Sequence, residues 1–196
     1  MSYRLVSLDD GRCGRTSSCP VAITAAGEIG QDEFERFRAF IAAQRQDGPA
    51  PRQFIIHSNG GNVGGALKLG LALRTLGMTV SVGGLREGRL RGGFCGSACV
   101  FVLMGGSRRV VPSGSVVAVH SPRRVTASLD PETVGSTELA PAFRDKVLAS
   151  LVDYARHMGV DPALIRLSMT VPHASRRVLT AAEIRRFRLA TGTPRT

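Results

Sequence analysis

Tryptophan is absent from this chain and tyrosine occurs only twice. With eight phenylalanines as the remaining aromatics, no platform exists on which nucleic-acid bases would stack. Long apolar runs are missing as well. The longest, from Ala98 to Gly106, falls well short of the ~18 residues a membrane span requires. No CxxC pair is present, which removes the usual zinc ribbons and fingers. Neither GxGxxG nor GxxxxGK occurs, so the nucleotide-phosphate loops go too. No metal and no cofactor is expected. Lysine is scarce: only Lys68 and Lys146 stand among 26 basic residues. The opening MSYRLVSLDDGR has no apolar core of the signal-peptide kind. It suits a cytoplasmic protein or one whose leader has been removed.

What is present suits a single domain over 1–196. A length of 196 residues with 43% apolar content can bury a sizeable core. The net charge is +11, but the arginines fall in scattered pairs, with one denser run from Arg185 to Arg188. That distribution reads as a solvated surface, and nucleic acid is not an expected partner. The four cysteines form two close pairs. Cys13 and Cys19 flank a polar loop that a disulfide could close; Cys95 and Cys99 are spaced to share a helical face. Either pair could equally be small buried thiols.

Periodicity and breakers give an alternating order. Strands are expected near 20–29, 52–58, 78–84, 108–111 and 116–120. Helices are expected over 31–46, from Ala66 to Gly77, from about Ser97 to Met104, and from Glu138 to His157. Two more follow, one capped by Asp161 with Pro162 in its first turn, one opened by the capping box Thr180–Glu183. LREGRLRGG reads as a charged, glycine-rich loop, and 121–137 as a long polar loop. The pattern argues for an α/β fold with a largely parallel sheet. Its core lies at 20–122, with a helical part at 138–196.

Two turns and one histidine carry the chemistry. HSNGGNVGG follows a strand, and its glycines let backbone amides approach a ligand. A tight βα turn would look the same. In GFCGSACVFVLMGG, Ser97 opens an apolar helix, where serine serves as a cap or as a nucleophile near helix amides. His120 ends a buried strand, where α/β proteins bind ligands and where a general base could stand.

The order strand, SNGG, helix, strand, glycine loop, GSA, apolar helix, GG, basic strand, H resembles the ClpP/crotonase superfamily, from about Arg52 to Pro122. The CPVAI…GEI opening, the C-x-S-A-C turn and MGVDPALI are similar to bacterial ClpP-like proteins often predicted to be exported. The resemblance implies a superhelix of ββα units and a serine protease, with a peptide or protein substrate and a homo-oligomer. It makes Ser97 the nucleophile and His120 the base. Gly61 and Ala98 become oxyanion amides, and Gly60 and Val63 substrate contacts. A periplasmic or otherwise exported location follows from the same likeness.

The ClpP pattern has one gap here. Its third triad member, an aspartate, matches Ser175 or Arg176 within HASRRVLTAAE, and loss of that aspartate costs ~10⁴ in serine proteases. A Ser97–His120 dyad is one outcome. Another carboxylate, such as Glu183 or Asp153, reaching His120 is a second. A site kept only for peptide binding or as a scaffold is a third. An acyl-CoA enzyme of crotonase type would share the oxyanion pocket. Lys68 and Lys146 lack the context of a Ser–Lys dyad, and Cys99 is a lesser nucleophile candidate.

Overall fold

The computed structural model describes residues 1–8, 20–44, 50–125, 136–137 and 141–192. The expected Cys13–Cys19 bridge and most of the loop 121–137 lie outside them.

The first sheet grows from the strands the sequence marks. It runs β1 (Ser2–Ser7), β2 (Val21–Ala26), β3 (Gln53–His57), β4 (Thr79–Val82) and β8 (Arg108–Val110), in that spatial order. The last four are parallel; β1 is an antiparallel edge. β3 is central, and both of its faces are covered. Phe54 and Ile56 join the main core, while Ile55 packs on Leu8 and Ala22 behind the sheet. This is why it reads as a continuous apolar run.

Helix α1 (Glu33–Ala43) crosses from β2 to β3, and α2 (Val63–Thr75) from β3 to β4. α2 starts three residues earlier than the sequence suggests. Asn62 caps it by accepting from the Gly65 amide at 2.9 Å, so Gly64 and Gly65 are helical. A methyl on Gly65 would lie 2.0 Å from the Gly30 carbonyl oxygen, so the helix packs onto that turn only with glycine there.

The stretch expected as a charged loop is instead a hairpin, β5 (Gly84–Arg86) and β6 (Arg89–Arg91). Glu87 and Gly88 both have positive φ, 54° and 71°, the requirement of a two-residue type I′ turn. Leu85 and Leu90 pack against the minor core behind β2 and β3.

A second sheet of three strands holds β7 (Phe94–Gly96) parallel to β9 (Val116–Val119), with β12 (Arg177–Val178) antiparallel on the far side of β9. Between β7 and β8 lies α3 (Cys99–Met104), every residue buried. Two-residue strands β10 (Arg124–Val125) and β11 (Ser136–Thr137) pair beyond β9. The helical part then follows: α4 (Pro141–His157), α5 (Ala163–Thr170) and α6 (Ala181–Arg186). α5 begins just after Pro162, yet the Asp161 carboxylate still accepts from the Ala163 amide at 2.8 Å. The Thr180–Glu183 capping box forms as the sequence predicts.

Two cations close the C-terminal half. The buried Arg109 guanidinium donates to the carbonyls of Gly106, Met158, Arg188 and Leu189. Arg74 donates to those of Met104 and Met158.

Candidate active site

The parallel pair β7 and β9 sets the site. Their register aligns Gly96 with Ala118, and the Ser97 amide donates to the Ala118 carbonyl at 2.9 Å. Ser97 therefore emerges at the carboxyl end of one strand and His120 at that of its neighbour. Carboxyl ends of parallel strands are where α/β folds gather ligands.

Ser97 is not a helix cap. Ala98 occupies that position, and Ser97 has φ 55°, left-handed backbone that a β-carbon disfavours. Such strain persists only where the surroundings enforce it. The enforcement here is covalent as well as hydrogen-bonded. Cys95 and Cys99, both fully buried, form a disulfide across the turn, with Cα atoms 5.3 Å apart. Cys99 is thereby excluded as a nucleophile.

The glycine turn crosses over Ser97. Gly60 and Gly61 have φ 108° and 137°. A methyl on Gly60 would lie 2.7 Å from Ser97 Cβ and 3.0 Å from the Ala98 nitrogen, so no other residue fits there. The turn is held from below by Ser58, buried, whose hydroxyl donates to the Gly27 carbonyl and accepts from the Gly60 amide. Ile29 pairs with the Gly61 strand edge through the Gly60 carbonyl and the Asn62 amide. That leaves the Gly61 amide without an acceptor among the described residues, and the Ala98 amide likewise.

Ser97 and His120 line one cleft. Its other walls are Val63, Val100, Phe101, Met104, Val119, Pro122, Leu164, Ile165 and Ser168. The walls are apolar except at Ser168, whose hydroxyl is spent on the Ile165 carbonyl at 2.7 Å. No direct hydrogen bond joins Ser97 to His120.

No carboxylate among the described residues bonds to His120. Its Nδ1 lies 2.9 Å from the Ser121 carbonyl oxygen, the partner that fixes the tautomer with Nδ1 protonated and Nε2 bare. His173 approaches from the loop before β12. Its Nδ1 lies 3.1 Å from the same carbonyl, and its ring meets that of His120 edge-on, with centroids 4.5 Å apart. Burial holds the His120 imidazolium below the usual histidine range. The Ser121 bond opposes that, while His173, Arg176 and Arg123 add to it.

Neither alternative carboxylate reaches the base. Glu183 is committed to Arg177 and the Thr180 cap, and Asp153 pairs with Arg156 on the exposed face of α4. Lys68 and Lys146 are exposed on α2 and α4 and take no part in the cleft. Sequence reasoning missed His173, Ser121 and Ser58. Only Ser58 had a local signal, as the residue leading into the double glycine.

No protein-family model and no curated protein matches the sequence. Solved structures do match in shape. A serine-to-alanine mutant of the 1510-N membrane-bound stomatin-specific protease superposes with a TM-score of 0.61 at 15% identity, over 88% of this chain and 78% of that one. A second mutant of the same protease, a lysine-to-alanine one in complex with a substrate peptide, gives 0.60 at 16% identity, over 88% and 74%. ClpP1 from Listeria monocytogenes gives 0.59 at 13% identity, over 88% and 91%. At such identities the likeness speaks for architecture alone: the chain has the ClpP/crotonase-like fold.

Proposed function

We propose that this chain is a peptide-cleaving serine hydrolase, with Ser97 as nucleophile and His120 as base. The observation that carries the reading is the left-handed Ser97 at the end of β7, near two amides without acceptors among the described residues and in one cleft with a histidine whose Nε2 is bare. In the reaction Nε2 takes the hydroxyl proton as Ser97 Oγ bonds to the carbonyl carbon. The Gly61 and Ala98 amides receive the oxyanion. The proton passes to the leaving amine as the C–N bond breaks, and water then releases the acyl group by the same steps. The apolar cleft takes the side chain on the acyl side, with Gly60 and Val63 against the peptide backbone.

The Ser121 carbonyl supports a base that works without aspartate. Part of what an aspartate supplies is the correct tautomer, and the carbonyl supplies that. It does not supply a negative charge to steady the imidazolium. A peptide-binding protein without turnover is the second reading, favoured by the same lack of a carboxylate. The Cys95–Cys99 bridge supports an exported protein, since such bonds persist in oxidising compartments. Self-association remains part of this proposal.

Labelling with a fluorophosphonate, read by intact mass, tests the reading. One adduct is expected on the wild type and none on Ser97→Ala, His120→Ala or Gly60→Ala, the last because its methyl intrudes on Ser97. An unlabelled, folded wild type that still binds peptides would leave the second reading standing.

A further inference from the structure

Antiparallel pairing of β12 with β9 aligns Arg177 with Val119, so Arg176 comes next along, level with His120. Arg176 is exposed, and its guanidinium lies 5.7 Å from the Phe94 ring centroid. Phe94 belongs to the nucleophile turn, because a methyl on Gly96 would stand 2.6 Å from its ring edge. Arg123, also exposed, follows Pro122, a wall of the cleft. Two cations and two imidazoles thus surround the rim at His120. Among the described residues no carboxylate pairs with Arg123 or Arg176. Arg177, one residue on, is neutralised by Glu183. The rim is positive where the cleft floor is apolar.

We infer that Arg176 and Arg123 select an acidic residue on the leaving side of the scissile bond, so that the substrate brings the negative charge that the site lacks. The inference rests on the proposed peptidase reading. The side is fixed by His120, which must deliver its proton to the leaving amine. The segment that departs therefore passes the arginines flanking that ring. A carboxylate bound there serves two ends. It is held by one or two exposed ion pairs, and it offsets the cations that oppose a protonated His120.

Three quenched-fluorescence peptides, alike except for Glu, Gln or Lys just after the scissile bond, test this. On the wild type, kcat/KM for the Glu peptide is expected about three- to tenfold above Gln, with Lys lowest, and the gap should narrow as salt rises. Arg123→Ala/Arg176→Ala should lose the Glu-over-Gln ratio, and Arg176→Glu should shift preference toward Lys. Equal rates for the three peptides, or a ratio that survives the double substitution, would overturn the inference. Binding of the same peptides to Ser97→Ala, by anisotropy, reads charge selection without chemistry. Tighter binding of the Glu peptide without cleavage would uphold charge selection by the two arginines while overturning the peptidase reading and the leaving-side assignment with it, and equal affinities refute the selection itself.

Discussion

Opening the Cys95–Cys99 bridge tests how the turn at Ser97, the proposed nucleophile, is held. The bridge closes a ring of five residues around Ser97. Closing so short a ring removes roughly 2 kcal/mol of chain entropy on the loop-closure model. The left-handed conformation of Ser97 costs about 1–2 kcal/mol in the opposite sense. The two terms nearly cancel, so the bridge offsets a strain that the turn's hydrogen bonds would otherwise have to carry alone. Hydrogen bonds from the Gly96 amide to Ser58 and from the Ser97 amide to Ala118 remain in its absence. The Cys95→Ala/Cys99→Ala protein should therefore fold but label more slowly. Losing the full ~2 kcal/mol at the turn would slow it about 30-fold, which sets the upper limit. The thermal midpoint should fall by roughly 4–8 °C for a chain of this size. The assay is the second-order rate of fluorophosphonate labelling by intact mass, alongside a thermal melt. A variant that labels as fast as wild type while melting lower would show that the bridge serves the fold and not the turn.

On the proposed mechanism His120 sets the acid limit of labelling. Burial and the neighbouring His173, Arg176 and Arg123 favour its neutral form. The labelling rate should stay on its plateau below the ordinary histidine value of about 6.5 before it drops. In the unfolded chain His120 takes up its proton at higher pH than in the folded one. Stability should therefore be lost as pH falls through the window beneath ~6.5, visible as a declining midpoint in melts across pH. Arg109 is pulled down only to about 10 by burial and by Arg74 and Arg188, so it is charged at neutral pH. Arg109→Met would strand four carbonyl contacts and should cost about 3–5 kcal/mol in urea unfolding; a loss under 1 kcal/mol would contradict this account.

Ser97 and the double glycine were legible because each sits at a local break between a strand and a helix, and His120 because it ends an apolar strand ahead of a proline-containing loop. The main parallel strands were legible as apolar runs. β1 was not, because Ser2, Arg4 and Ser7 give an edge strand a polar look. The β5–β6 hairpin was hidden by arginines and by Glu87 at a left-handed position usually filled by Asn, Asp or Gly. β7 is three residues long and contains a glycine and a cysteine, too short for any alternation to register. His173 lies 53 residues beyond His120 in sequence, and the β12–β9 pairing together with the Ser121–Val171 hydrogen bond brings its ring alongside. Arg176 was visible from the sequence as one of two residues, with Ser175, that could stand in place of an aspartate; its level with the base required the register.

The walls of the cleft come from opposite ends of the chain. Val63 and Ser97 belong to the first half, Leu164, Ile165 and Ser168 to α5, and the pieces are tied by Arg109 reaching carbonyls some 80 residues away. The Asp161 amide, just ahead of α5, donates to the Phe187 carbonyl, so a ribosome must complete α6 before this anchor for α5 exists. A nascent chain that has not reached Leu189 would carry Ser97 beside a cleft whose far wall is not yet anchored.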